Sequence, residues 1–246
     1  MKYLLTLTTL SAALALAACG KSDGDTQKTE APKPSLSDAS KSKVEEKAKE
    51  TIAAKAPRGD KAKALTEYVE LDSGKQLMFL NLALSGMPAD YSAIANNISR
   101  NYNNESDNFK KNDMLKALKP GIDQEIEGAK SRRYVYMDLS DTPLETFDFN
   151  QSAFPMKLLS SGSYRYFNDI YGYKAEFDHI EPFALLKVSD ENVAREIEQL
   201  RTKYQLQARM YLFAMDVPVG SNNVRFEPMA IEIRDKQGRV LATAKP

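Results

Sequence analysis

The chain has 246 residues, with 34 Lys and Arg balanced by 34 Asp and Glu, a single histidine, a single cysteine and no tryptophan. Zero net charge lacks the basic surplus a nucleic-acid partner needs, and one histidine excludes multi-histidine zinc, iron or copper centres. One cysteine excludes an intramolecular disulfide.

Lys2, followed by an apolar run from Leu4 to Leu16 broken only by Thr6, Thr8, Thr9 and Ser11, has the build of a secretory signal peptide over residues 1–18. The run is too short for a membrane span, which needs about 20 apolar residues. It ends in Leu16-Ala17-Ala18-Cys19, which resembles the bacterial lipobox. The resemblance implies cleavage before Cys19, a diacylglycerol on its thiol and a further acyl chain, such as palmitate, on the new amine. Each buried methylene contributes about 0.8 kcal/mol, so two or three chains hold a protein stably where one does not. The expected partner is therefore the membrane itself, reached through acyl chains on Cys19, with the chain facing the periplasm. Gly20 is not the aspartate that signals retention in the inner membrane, which favours the outer membrane. Lys21 and Ser22 resemble a retention signal of some Gram-negative bacteria and keep the inner membrane as the alternative.

Residues 19–64 read as the lipidated cysteine and a disordered tether. From Gly20 to Ala64 there is no aromatic residue, and Lys, Glu, Asp, Ala, Ser and Pro dominate, so the stretch cannot bury enough apolar surface to offset its ordering entropy. As a flexible coil it spans roughly 35–40 Å. Gly20, Ser22 and Gly24 match the G-x-S-x-G pattern of hydrolase nucleophile elbows. That motif works only on a strained strand-to-helix turn, and its position beside a lipid anchor marks it as a chance match.

Residues 65–246 suffice for a single α+β domain. A helix is predicted from Asp72 or Ser73 as cap, through an apolar run at Leu77–Leu84, to Gly86 and Pro88. Tyr91, Ile94, Ala95, Ile98 and Tyr102 recur at helical spacing. Ser106 is the expected cap of a further helix that Pro120 should bend or break. After Arg133 the period shortens to two: YVYMDL, ETFDFN, AFPMKL, SYRYF, YKAEF and ALLKV suggest short strands in an antiparallel meander. VSDENVAREIEQLRTKY returns to helix, capped by Ser189 or Asp190 and burying Val193, Ile197, Leu200 and Tyr204. Two long strands and a hairpin turn at Lys236–Arg239 into VLATA close the chain. Helices grouped ahead of strands favour α+β over alternating α/β.

YVELDSGKQLMFLNLALSGMPADY (68–91), FKKNDMLKALKPGIDQEI (109–126), FDFN and FP (147–155) and VSDENVAREIEQLR (188–201) resemble an uncharacterised domain-of-unknown-function family of bacterial lipoproteins. The resemblance implies one lipid-anchored domain and no catalytic residue; no cofactor or metal is expected.

His179, between Asp178 and Glu181, is the only histidine able to act as a general base. Asp138, Asp148 and Glu176 are the carboxylates placed in strand-like runs beside aromatic residues. All four are better explained as structural polar positions. Arg132 and Arg133 form a small basic spot. The most suggestive run is SYRYFNDIYGYKAEF (163–177), which holds Tyr164, Tyr166, Phe167, Tyr171, Tyr173 and Phe177, six of the chain's 12 tyrosines and 10 phenylalanines. Rings on an exposed sheet face stack on sugars or peptide. Tyr164, Arg165, Tyr166, Tyr171 and Tyr173 are therefore the expected ligand contacts, for an envelope protein or glycan partner. The expectation is a lipid-anchored, noncatalytic binding or scaffolding module at the cell envelope. The alternative is a periplasmic hydrolase using paired carboxylates or His179.

Overall fold

A computed structural model describes residues 56–139, 142–157 and 161–246. Cys19, the leader and the greater part of the tether lie outside the described residues. Four helices come first: α1 (Gly74–Ser85), α2 (Tyr91–Ile98), α3 (Arg100–Asn104) and α4 (Asn108–Ser131). A two-residue strand, β1 (Val69–Glu70), precedes them. After them run β2 (Tyr134–Leu139), β3 (Ala153–Pro155), β4 (Tyr164–Arg165), β5 (Lys174–Phe177) and β6 (Leu185–Lys187). A fifth helix, α5 (Glu191–Thr202), leads into β7 (Leu206–Asp216), β8 (Asn223–Asp235) and β9 (Val240–Ala244). This is the α+β order read from the sequence: helices, a mostly antiparallel sheet, and one further helix ahead of the last strands.

The helices obey local rules. Ser73 takes the N-cap of α1, its hydroxyl accepting from the Gln76 N–H, and Gly86 closes the helix at φ 65°, where a side chain would be strained. Leu77 and Met78 are fully buried and Asn81 nearly so, with its amide donating to the Ser221 carbonyl. Asp190 caps α5. Asp107, one residue beyond the expected Ser106, caps α4 by accepting from the Phe109 and Lys110 N–H groups. Pro120 does not break α4, which runs on from Asn108 to Ser131. Proline removes a bond to the residue four positions earlier, and both Pro120 and Lys116 are exposed, so solvent satisfies the freed carbonyl. Tyr204 lies past the end of α5 at φ 55° and is exposed rather than buried.

The meander is not formed. The large sheet runs β1-β2-β7-β8-β5-β4, with β9 on the remaining length of β8, and β3 pairs only with β6 in a sheet of two strands. β2 thus finds its partner in β7, about seventy residues later, and β1–β2 and β5–β8 are parallel. ETFDFN forms no strand. Asp148 accepts from the Asn150 N–H and from the Gln151 side chain, and this turns the chain back so that Asp148 and Ala153 form a lone bridge.

One face of the sheet carries the main core. Val135, Met137 and Leu139 of β2 alternate inward, as do Ala208, Met210, Leu212 and Ala214 of β7, against α1, α4 and α5. The other face gathers Tyr68, Tyr211, Phe213, Met215, Met229 and Ala230 into a second cluster. Residues 56–64, read from the sequence as the end of the tether, lie against this outer face. Arg58 donates to Glu227 at 2.5 Å, the Gly59 N–H donates to the same carboxylate at 3.0 Å, and the Asp60 N–H donates to the Tyr134 hydroxyl at 2.8 Å. A Cβ on Gly59 would lie 2.9 Å from that of Phe213 and 2.6 Å from the Met229 sulfur, so only glycine lets the backbone approach this closely. Among the described residues no helix is long and apolar enough to cross a membrane.

Candidate functional site

β4 is a short strand at one end of the sheet, and its two residues alternate as a strand must. Tyr164 faces out, Arg165 faces in, and Tyr166 beyond it faces out again; Tyr164 and Tyr166 are 51% and 57% exposed. The Lys174 ammonium sits 4.2 Å from the centre of the Tyr164 ring. Tyr171 stands at the tip of the following loop, 74% exposed, beside Gly172 at φ 98°. Tyr173 separates from the other three. It is half-buried against the core, and burial pushes its phenol up from the usual range. Four of the five expected contacts are therefore presented around β4 and its loop, and the fifth is structural.

The loop is tied down at one point. Asp169 accepts from the Gly74 N–H at 2.7 Å and the Lys75 N–H at 3.1 Å, so it caps the start of α1 from 95 residues away. Burial pushes its carboxyl up, but these N–H donors and those of its own loop outweigh burial and hold it below its ordinary value. The tie brings the two ends of the large sheet together. Arg165, Tyr166 and Phe167 face Glu70, Leu71, Asp72, Met137, Asp138 and Leu139 across a cleft of about 310 Å3. Asp138 is already engaged: Arg209 grips it with two hydrogen bonds of 2.6 and 2.8 Å, which lower its pKa against the opposing effect of burial. Arg209 also lies 3.9 Å from the centre of the Tyr136 ring. Arg165 differs, because its buried Nε has no hydrogen-bond partner among the described residues.

The residues weighed for catalysis are spread apart. His179 sits at φ 54°, with Arg58 Nη1 3.4 Å from its Nε2, and it also interacts electrostatically with the Glu227 carboxylate. Arginine can only donate, so Nε2 is the acceptor there and is turned toward a cation rather than a hydroxyl. Neighbouring Asp178 accepts from Ser161 and lies 3.6 Å from Arg225. Glu176 accepts from Asn223 at 3.0 Å, and Asp148 serves its own turn. The basic spot also separates: Arg132 pairs with Glu125 at 3.2 Å, while Arg133 donates to the Ala214 and Met215 carbonyls beneath the Phe213 ring. Among the described residues no three His, Cys, Asp or Glu side chains gather to hold a metal.

Glu70 and Glu227 were not singled out in the sequence, and Asp72 entered only as a candidate helix cap. Glu227 carried a signal, an acid inside the apolar run VRFEPMAI. Nothing in the sequence pointed Glu70 or Asp72 toward a ligand, since exposed acids before a helix are commonplace. Comparison with family models, with curated proteins and with solved structures gave no match.

Proposed function

We propose that the chain is a lipid-anchored cell-envelope lipoprotein, held by acyl chains on Cys19 and favouring the outer membrane, whose α+β domain is a noncatalytic binding or scaffolding module. The observation that carries the binding half is the display at β4 and its loop: three exposed tyrosine rings beside an arginine whose buried Nε has no hydrogen-bond partner among the described residues. Amphipathic rings combined with arginine are the side chains that dominate contact energy at recognition surfaces. The catalytic alternative has weaker support, because Asp138, Asp148 and Glu176 each have a structural partner and His179 faces Arg58.

The anchored protein, crosslinked in intact envelopes and recovered with whatever it holds, tests this. A reproducible partner should survive His179→Ala and Asp148→Asn and be lost when Tyr164, Tyr166 and Tyr171 are changed together to alanine. Loss with His179→Ala and retention with the tyrosine variant would favour the hydrolase.

A further inference from the structure

The cleft beside β4 has walls of both charges over an apolar floor. Leu71, Met137 and Leu139 form the floor, Arg165 and Tyr166 stand on one side, and Glu70 and Asp72 stand on the other. Asp138, the third acid, is neutralised by Arg209. Among the described residues the Glu70 carboxylate accepts only a 3.3 Å hydrogen bond from the Tyr136 hydroxyl, and no described ion pair includes Glu70, Asp72 or Arg165. The Nε of Arg165 is buried and has no hydrogen-bond partner among the described residues. At about 310 Å3 the space sits at the small end of ligand pockets, which span roughly 300–1,000 Å3.

Opposite charges that share so small a space without pairing select for a ligand that pairs with both. A simple anion would meet Arg165 but also the fields of Glu70 and Asp72, and a simple cation would meet the reverse. The carboxylates do not converge as a metal site. We propose that the cleft binds a small zwitterion bearing a free carboxylate and a free ammonium, an amino acid or dipeptide. Arg165 takes the carboxylate through its planar fork of donors. Glu70 and Asp72 take the ammonium, the Tyr166 ring covers the backbone, and the floor accepts a small apolar side chain. The assignment rests on the binding reading above and gives it a ligand class.

Calorimetric titration of the full-length chain in detergent micelles tests it with four probes: alanyl-alanine, its carboxyl-terminal amide, its N-acetyl form and inorganic phosphate. Alanyl-alanine should bind, each blocked form should bind about tenfold or more weakly, as loss of one charge-assisted pair implies, and phosphate should give no heat. Arg165→Gln should erase the preference for acid over amide yet keep the preference for free amine over N-acetyl. Glu70→Gln combined with Asp72→Asn should do the opposite. A misfolded variant would lose both preferences, so the crossover separates contact from collapse. Absent dipeptide binding, equal binding of acid and amide, or preferred binding of phosphate overturns the proposal. If the tyrosine-dependent crosslinked partner persists while the dipeptide fails to bind, this inference alone falls; if both are absent, the binding reading falls with it.

Discussion

Replacing Glu227 by glutamine isolates the charge that fastens residues 58–60 to the sheet. The side chain is 3% exposed and accepts from Arg58 at 2.5 Å and from the Gly59 N–H at 3.0 Å. Glutamine keeps the shape and an oxygen that can still accept from Gly59, so what disappears is charge assistance. Hydrogen bonds to charged groups contribute about 1.5–3 kcal/mol and neutral ones about 0.5–1.5, so the expected loss is roughly 1–2 kcal/mol. Arg58 is 54% exposed and returns to water, so its freed charge adds no burial penalty. In a domain of this size each kcal/mol moves Tm by about 2–4 °C, which gives a fall of roughly 2–8 °C at neutral pH by calorimetry. The pH dependence fixes the cause. Burial pushes the Glu227 carboxyl up, but the Arg58 and Gly59 bonds and the Arg58 charge outweigh it and hold the carboxyl below its ordinary 4.5. A depressed pKa stabilises the fold above the unfolded value, and the benefit is lost as pH falls through the folded value. The Tm gap between parent and variant should therefore be flat down to about pH 5 and close below 4.5. Equal melting at neutral pH, or a gap unchanged by acid, would refute the reasoning.

Gly59→Ala forces a methyl into contact with Phe213 and Met229 and should cost about 1–3 kcal/mol, read as a lower denaturation midpoint with an unchanged m-value. Asp169→Ala removes the cap that the β4 loop lends to α1 and should cost about 0.5–2 kcal/mol; fluorescence quenching of the tyrosines should show looser packing around the loop. Cys19→Ser should move the protein from the membrane fraction to the soluble fraction, and mass spectrometry of the parent should find the first residue to be an acylated Cys19. A free thiol there, or a different start, would refute the anchor.

What the sequence made legible was local. Ser73 and Gly86 bracket α1 because capping and left-handed glycine are short-range chemistry, and the period-two alternation of YVYMDL marks a strand because alternate side chains enter opposite faces of the sheet. Strand partners were illegible: nothing in Tyr134–Leu139 states that it pairs with β7 rather than with the next β-rich run, since both partners offer the same alternation. ETFDFN looked like a strand until Asp148 found local N–H donors, a competition that propensity does not weigh. At the site, the density of tyrosine was visible, and the cleft that Arg165 lines was not. That depends on β4 closing against β1 and β2 through Asp169, a contact that joins segments 95 residues apart.

A photo-reactive amino acid placed at position 166 of the anchored protein in living cells addresses the binding role most directly, with position 204, a still more exposed tyrosine on the loop after α5, as the control. A discrete adduct from 166, absent from 204 and competed by free dipeptide, is the predicted result. Adducts of equal yield from both positions, or none from 166, would contradict it.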